Sequence, residues 1–112
     1  MRRGEIWWAS LSEPYGSEPG YRRPVLIVQA DEFNNSNINT IICVSITTNL
    51  NLGNAPGNVQ LSMKSSGLPK SSVVNISQVL SIDKKRLTGL VKSLDSQTMR
   101  KIDDGLKLVM KL

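Results

Sequence analysis

In this chain the strand signals come first and the long helical signal comes last, an order that restricts it to a small, mainly β (α+β) architecture. Residues 3–11 alternate, with Glu5, Trp7, Ala9 and Leu11 on one face and Ile6, Trp8 and Ser10 on the other. Each face carries a large aromatic, so this strand is expected to be covered on both sides. Residues 25–29 form a continuous apolar run of strand length, and Pro24 at its entrance is tolerated because its missing N–H costs little there. Residues 34–37 read as a turn and residues 40–47, dense in Ile, Val and Thr, as a third strand. Residues 49–57 read as a mobile loop and residues 58–63 as an edge or half-buried strand. The chain then turns back through Gly67 and Pro69. Residues 71–82 supply two short strands, or one bent strand, around Gln78. Asp83 caps a helical turn, and residues 87–94 make a last strand weakened by Gly89.

The C-terminal segment has the local chemistry of a helix. Asp95 is a natural N-cap, and Leu94 and Met99 stand at the staple positions on either side of it. Met99, Ile102, Leu106 and Val109 recur at helical spacing and predict a core-facing stripe. Lys107 and Lys111 complement the macrodipole at the helix end. Gly105 in the helix interior costs about 1 kcal/mol relative to Ala, which points to a close packing contact there. Several short strands and one closing helix predict a strongly curved antiparallel sheet or partly open barrel, in one domain over residues 1–112.

With 112 residues, such a domain buries roughly two-thirds of its unfolded surface, and a second copy is a natural cover for the remaining apolar area. The lone cysteine, Cys43, forbids an intrachain disulfide and is expected to be a buried small hydrophobe. Histidine is absent, which removes the usual general acid/base and the commonest zinc ligand. No Gly-Lys-Ser/Thr follows any strand, so a nucleotide-binding phosphate loop is excluded. The adjacent acids Asp31–Glu32 and Asp103–Asp104 do not share a face and make no metal-binding pair. Neither a metal nor another cofactor is expected. The N-terminus lacks a signal-peptide core and no run reaches the length of a membrane span, so a cytoplasmic, reducing setting is the expectation. A formal net charge of +5 and a pI near 9.7 favour a polyanionic partner.

The most informative segment is Gly16-Ser17-Glu18-Pro19-Gly20-Tyr21-Arg22-Arg23-Pro24, which runs straight into the apolar strand. A loop rich in Gly and Pro delivers two arginines to the mouth of a buried strand. That mounting fixes a guanidinium against a rigid wall with its planar fork of donors available to a phosphate. The same local pattern also fits two solvated loop charges.

In their order and spacing, several pieces of the chain resemble the MazF/PemK family of toxin–antitoxin ribonucleases over essentially the whole length. They are Arg3-Gly4-Glu5-Ile6-Trp7, Gly16-Ser17-Glu18, Arg23-Pro24-Val25-Leu26-Ile27-Val28-Gln29, Ser45-Ile46-Thr47, Ser72-Val73-Val74 with Gln78, and Ile82-Asp83-Lys84-Lys85-Arg86-Leu87. The resemblance implies an SH3-like barrel with a C-terminal helix, typically a homodimer, held in check by a cognate antitoxin. It implies metal-independent cleavage of single-stranded RNA at short sequences, leaving 2′,3′-cyclic phosphate and 5′-hydroxyl ends. Carried over by position, the catalytic arginine is Arg23 and the catalytic threonine is Thr47. Ser17, Glu18 and Gln78 fall where the family lines its RNA groove, beside Arg22, Pro24 and Thr48. Glu18 is a candidate base or orienter of Arg23, although a loop-ordering or dimer-contact role is the reading preferred for it.

The chain departs from its relatives in places. Pro19 replaces a common Gln, Ser77 replaces a common Glu, and Ser17, Asn75 and Ser77 stand where some plasmid-borne relatives carry His, Arg and Asp. The acid/base set of those relatives is therefore missing, and the cleaved sequence does not carry over. Arg2, Arg3, Arg22, Lys84, Lys85 and Arg86 are candidates for a phosphate-tracking surface. Trp7 and Trp8 can stack a base, although packing is the reading preferred for both. Thr48 is expected to point away from Thr47. Two other readings remain: a non-enzymatic gyrase poison of the related CcdB type, whose C-terminal Trp this chain lacks, and a catalytically silent module that binds RNA or antitoxin.

Overall fold

The computed structural model describes residues 1–11, 16 and 21–112. Six strands form one antiparallel sheet that curls into a half-barrel: β1 (Glu5–Ser10), β2 (Arg22–Ile27), β3 (Thr40–Thr47), β4 (Val59–Leu61), β5 (Ser72–Asp83) and β6 (Leu87–Ser93). Their spatial order is β4-β5-β3-β2-β1-β6, so β6 and the three-residue β4 form the edges. Single-turn helices α1 (Asp31–Asn34) and α2 (Met63–Ser66) interrupt the connections, and α3 (Ser96–Met110) closes the chain.

Alternation in the first strand sorts the side chains as the sequence predicts. Ile6 and Trp8 join Leu26, Val44, Ile46, Val74 and Ile102 of α3 in one apolar cluster. Trp7, Ala9 and Leu11 join Val25, Ile27, Ile41, Cys43 and Leu87 in the other. A half-buried Trp stands against each cluster, which accounts for the two-faced coverage of β1. Val25, Leu26 and Ile27 are all wholly buried, so β2 is gripped from both faces. Fully burying each such side chain is worth about 1.5–3 kcal/mol.

Residues 72–83 form one strand with an irregular middle. Val44 faces Val79 while Ile46 faces Val74, so residues 75–78 of β5 lie opposite Ser45 alone. That excess bends β5 and helps to close the curl. Asp83 caps a 3₁₀ turn at Lys84–Arg86 by accepting from the Lys85 N–H at 2.8 Å.

The segment from Asn49 to Gly57 differs from the mobile loop expected of it. Asn49 caps a 3₁₀ turn at Leu50–Asn54. The Asn58 amide donates to the Leu52 carbonyl at 2.9 Å, and its oxygen accepts from the Ile76 N–H at 2.9 Å. One side chain thus pins the loop to β5, and composition alone gave no sign of it. Helix α3 begins as predicted, with Asp95 accepting from the Thr98 N–H at 2.7 Å. Its apolar stripe is shorter than the sequence pattern. Ile102 is buried and Leu106 half-buried, but Val109 is 42% exposed, because α3 lies on β4 and β5 and its last turn extends past them.

Candidate active site

At one end of the sheet, where β2 begins and β3 ends, the strands and residues 68–72 enclose a cleft of about 510 Å³. The β2 wall supplies Arg22, Arg23 and Pro24, the β3 wall Ile46, Thr47, Thr48 and Asn49, and the opposite wall Leu68, Pro69, Lys70 and Ser72. Tyr21 and Trp8 complete the described lining.

The register of β2 against β3 explains why Arg23 and Thr47 meet here. Val25 pairs with Ser45, Leu26 with Val44 and Ile27 with Cys43. By alternation Arg23 shares a sheet face with Val25 and Thr47 shares one with Ser45, so just beyond the last pair both come to line the cleft. Arg23 is half-buried and also lies opposite Ala9 of β1, so it sits on the inner part of the sheet and not at an edge. Tyr21, with φ of 57°, turns the chain in the left-handed region just before it enters β2. For a bulky residue that conformation is strained, and such strain gathers at functional sites.

The Thr47 hydroxyl oxygen accepts from the Asn49 N–H at 3.1 Å. This fixes the hydroxyl while leaving its hydrogen to be donated elsewhere. Thr48, just beyond the end of β3, lines the same cleft as Thr47. The Arg22 guanidinium lies over the Trp8 ring, 4.1 Å from its centroid. Trp8 is therefore both packed against the core and exposed to the cleft.

Lys70 is a cleft residue that sequence reasoning missed, since the segment read only as a turn. Leu68, 4% exposed, anchors that segment, its N–H donating to the Ser66 hydroxyl at 3.1 Å. The Ser72 hydroxyl donates to the Lys70 carbonyl at 3.0 Å. A cation after a proline and a buried leucine was the available signal. With Arg22, Arg23 and Lys70 and no acid among its described residues, the lining is strongly positive.

Gln78 stands in the irregular part of β5 and is not part of the described lining. Ser17 and Glu18 lie outside the described residues. The expected phosphate-tracking surface is divided by the structure. Arg3 donates from Nε to the Val28 carbonyl at 2.8 Å and from Nη2 to Asp103 at 2.6 Å, tying the segment just after β2 to α3. Lys84 donates to the Asn34 carbonyl at 3.0 Å, and Arg86 donates to the Ser10 carbonyl at 3.2 Å. These cations hold the fold together.

Among the described residues no group of three or more His, Cys, Asp or Glu side chains is placed to hold a metal ion. Burial pushes the Cys43 thiol up to about 12, which makes it unreactive. The Arg3 backbone N–H, followed by the Asn34 amide, holds the Asp31 carboxyl below its ordinary value, and the Thr98 N–H does the same for Asp95.

A half-barrel with a cationic cleft at the end of its central strands is a small β protein whose cleft is suited to an anionic ligand. Residues 2–110 match the PemK-like, MazF-like toxins of type II toxin–antitoxin systems, and the chain belongs to that family. Endoribonuclease MazF6 of Mycobacterium tuberculosis is 42% identical over 112 residues, covering 100% of this chain and 98% of the relative. Endoribonuclease EndoA of Bacillus subtilis is 36% identical, covering 100% and 96%. In fold, the chain is similar to MazF from Deinococcus radiodurans, with a TM-score of 0.80 at 19% identity over 100% of this chain and 97% of that one. It is also similar to a mycobacterial endoribonuclease solved with its cognate antitoxin, with a TM-score of 0.76 at 23% identity over 100% and 94%. Among the described residues no helix is long and apolar enough to cross a membrane.

Proposed function

We propose that this chain is the toxin of a type II toxin–antitoxin pair and acts as an endoribonuclease on single-stranded RNA, mRNA included. The observation that carries the reading is the meeting of Arg23 and Thr47 in one cationic cleft. The family membership and the endoribonuclease names of relatives up to 42% identical support it.

The reaction suited to this cleft is attack by the RNA's own 2′-hydroxyl on the adjacent phosphorus. The new O–P bond closes a 2′,3′-cyclic phosphate as the bond to the 5′-oxygen breaks, and that oxygen leaves with a proton as a 5′-hydroxyl. Arg23 supplies fixed donors to the nonbridging oxygens as charge develops in the phosphorane. Thr47, its oxygen held by Asn49, donates to a phosphate oxygen and holds the in-line geometry. A guanidinium donates but does not accept, so another group takes the 2′-proton. Glu18 is the candidate, with Ser17, Pro24, Thr48 and Gln78 contributing to the RNA groove. Transition-state charge is met here by guanidinium and hydroxyl donors, so the reaction proceeds without a metal.

The working unit in this reading is a cytoplasmic homodimer of one-domain chains. Its inhibitor is an antitoxin with an acidic segment suited to the positive cleft. The test is cleavage of a long, mixed-sequence single-stranded RNA in EDTA, with the new ends mapped. Wild type cuts at one short motif with 5′-hydroxyl ends, and Arg23→Ala lowers the rate by about 100- to 1,000-fold. No cutting by wild type across a diverse RNA would overturn the enzyme reading.

A further inference from the structure

Arg22 and Arg23 are adjacent in sequence but do different things in the cleft. Arg23 projects on the sheet face that carries Val25 and Thr47. Arg22 projects on the opposite face, with Trp8, where its guanidinium carbon lies over the indole, 4.1 Å from the ring centroid. An arginine serving only as a mobile phosphate counter-charge gains nothing from that arrangement. The contact over the indole restrains the guanidinium and backs it with an aromatic surface, and both residues line the cleft. The indole is itself held, because Trp8 packs against the core that contains Ile6 and Leu26.

A fixed, planar, cationic surface is what an unstacked RNA base takes as a partner. Bases in single strands stack on guanidinium planes as they do on aromatic rings, and every base has a face to offer. Lys70 on the opposite wall supplies charge but no plane, so the two walls of the cleft are not equivalent.

We propose that Arg22, backed by Trp8, is a base-stacking platform that seats the nucleobase next to the scissile phosphate and so contributes to the choice of cleavage site. This rests on the ribonuclease reading. It adds a stacking role for Arg22 that neither its charge nor the sequence pattern supplies. Base, guanidinium and indole form a three-layer stack, with Arg23 and Thr47 beside it on the phosphate.

The test compares wild type with Arg22→Lys, which keeps the charge and loses the plane. The probe is a short single-stranded RNA carrying the motif mapped for wild type, made uncleavable by a 2′-deoxy nucleotide at the cut. A matched set has each base next to the cut removed in turn, leaving an abasic sugar. Arg22→Lys binds the intact probe about tenfold more weakly than wild type. At one abasic position the two proteins bind within about twofold of each other. That coupling to a single base is a readout a structural role of Arg22 would not move. Equal affinity of Arg22→Lys and wild type for the intact probe, or an equal penalty at every abasic position, would overturn the platform while wild-type cutting left the nuclease reading in place. Neither cutting nor RNA binding by wild type would overturn the nuclease reading, and the platform with it.

Discussion

Gly57, in the loop before β4, and Gly105, inside α3, touch backbone to backbone, and a Cβ on Gly105 would collide with the Gly57 carbonyl oxygen. The contact is what lets α3 settle onto β4 and β5 with Ile102 fully buried. Gly57 itself has φ of 82°, a conformation that side chains resist, so neither partner is free to change.

The first prediction concerns Gly105→Ala. On an exposed helix that substitution stabilises by about 1 kcal/mol. Here overpacking against a backbone carbonyl outweighs the gain, and the expected result is a net loss of about 1–3 kcal/mol. Chemical denaturation of wild type and variant measures it, and any increase in stability would contradict the contact.

The acid limb of the stability curve supplies a second. The carboxyls of Asp31 and Asp95 are held below their ordinary value of 3.8 by backbone N–H donors from Arg3 and Thr98 respectively. Both are charged in the folded protein at a pH where the unfolded chain has begun to take up protons. Their contribution is thus fully present above about pH 4 and is lost as pH falls through the lowered folded-state values. The variant carrying both Asp31→Asn and Asp95→Asn should lose less stability than wild type between pH 6 and pH 3. Denaturant midpoints at the two pH values give the comparison, and parallel losses would contradict the assignment.

These two predictions also mark what was legible in the chain. The glycine in the helix interior signalled a close contact but not its partner, because Gly57 is 48 residues away and no local rule joins them. Strands β1 to β3 and the cap of α3 were readable because alternation and capping are local. Arg23 and Thr47 were singled out by the resemblance, and their place in one cleft has its physical reason in the β2–β3 register, which brings the start of β2 beside the end of β3. Lys70 was not readable as a cleft residue, since its position depends on Leu68 anchoring into the core. Arg3, Lys84 and Arg86 were candidate groove charges, and their bonds to the Val28, Asn34 and Ser10 carbonyls were not legible, because a surplus of cations does not say which of them meet backbone carbonyls.

Cys43 gives a third prediction. It is wholly buried and its thiol is pushed up to about 12, so at pH 8 on the order of one molecule in ten thousand carries the thiolate. Reaction with a disulfide reagent should therefore be slow in the folded protein and immediate in denaturant. The native rate should track unfolding across a denaturant series. Rapid labelling without denaturant would mean that the strand interior opens far more readily than its packing implies.

The division of the cations gives the last prediction. Arg3 is committed to Val28 and Asp103, whereas Lys70 lines the cleft with Arg22 and Arg23. For single strands, each phosphate neutralised adds about 0.7 to the slope of log affinity against log salt. Lys70→Gln should flatten that slope by about this amount for an uncleavable RNA and leave stability nearly unchanged, because an exposed side chain contributes little to folding. Arg3→Gln should behave the other way. Its ion pair with Asp103 has side chains 32% and 40% exposed, so screening discounts it to a loss of about 1 kcal/mol. The salt slope should stay at its wild-type value, since the lost charge faces α3 and not the cleft. Measuring both variants by denaturation and by RNA binding at several salt concentrations separates the two roles. If Arg3→Gln flattened the slope as Lys70→Gln does, the binding surface would extend across the sheet to α3, and the cleft would be only part of it.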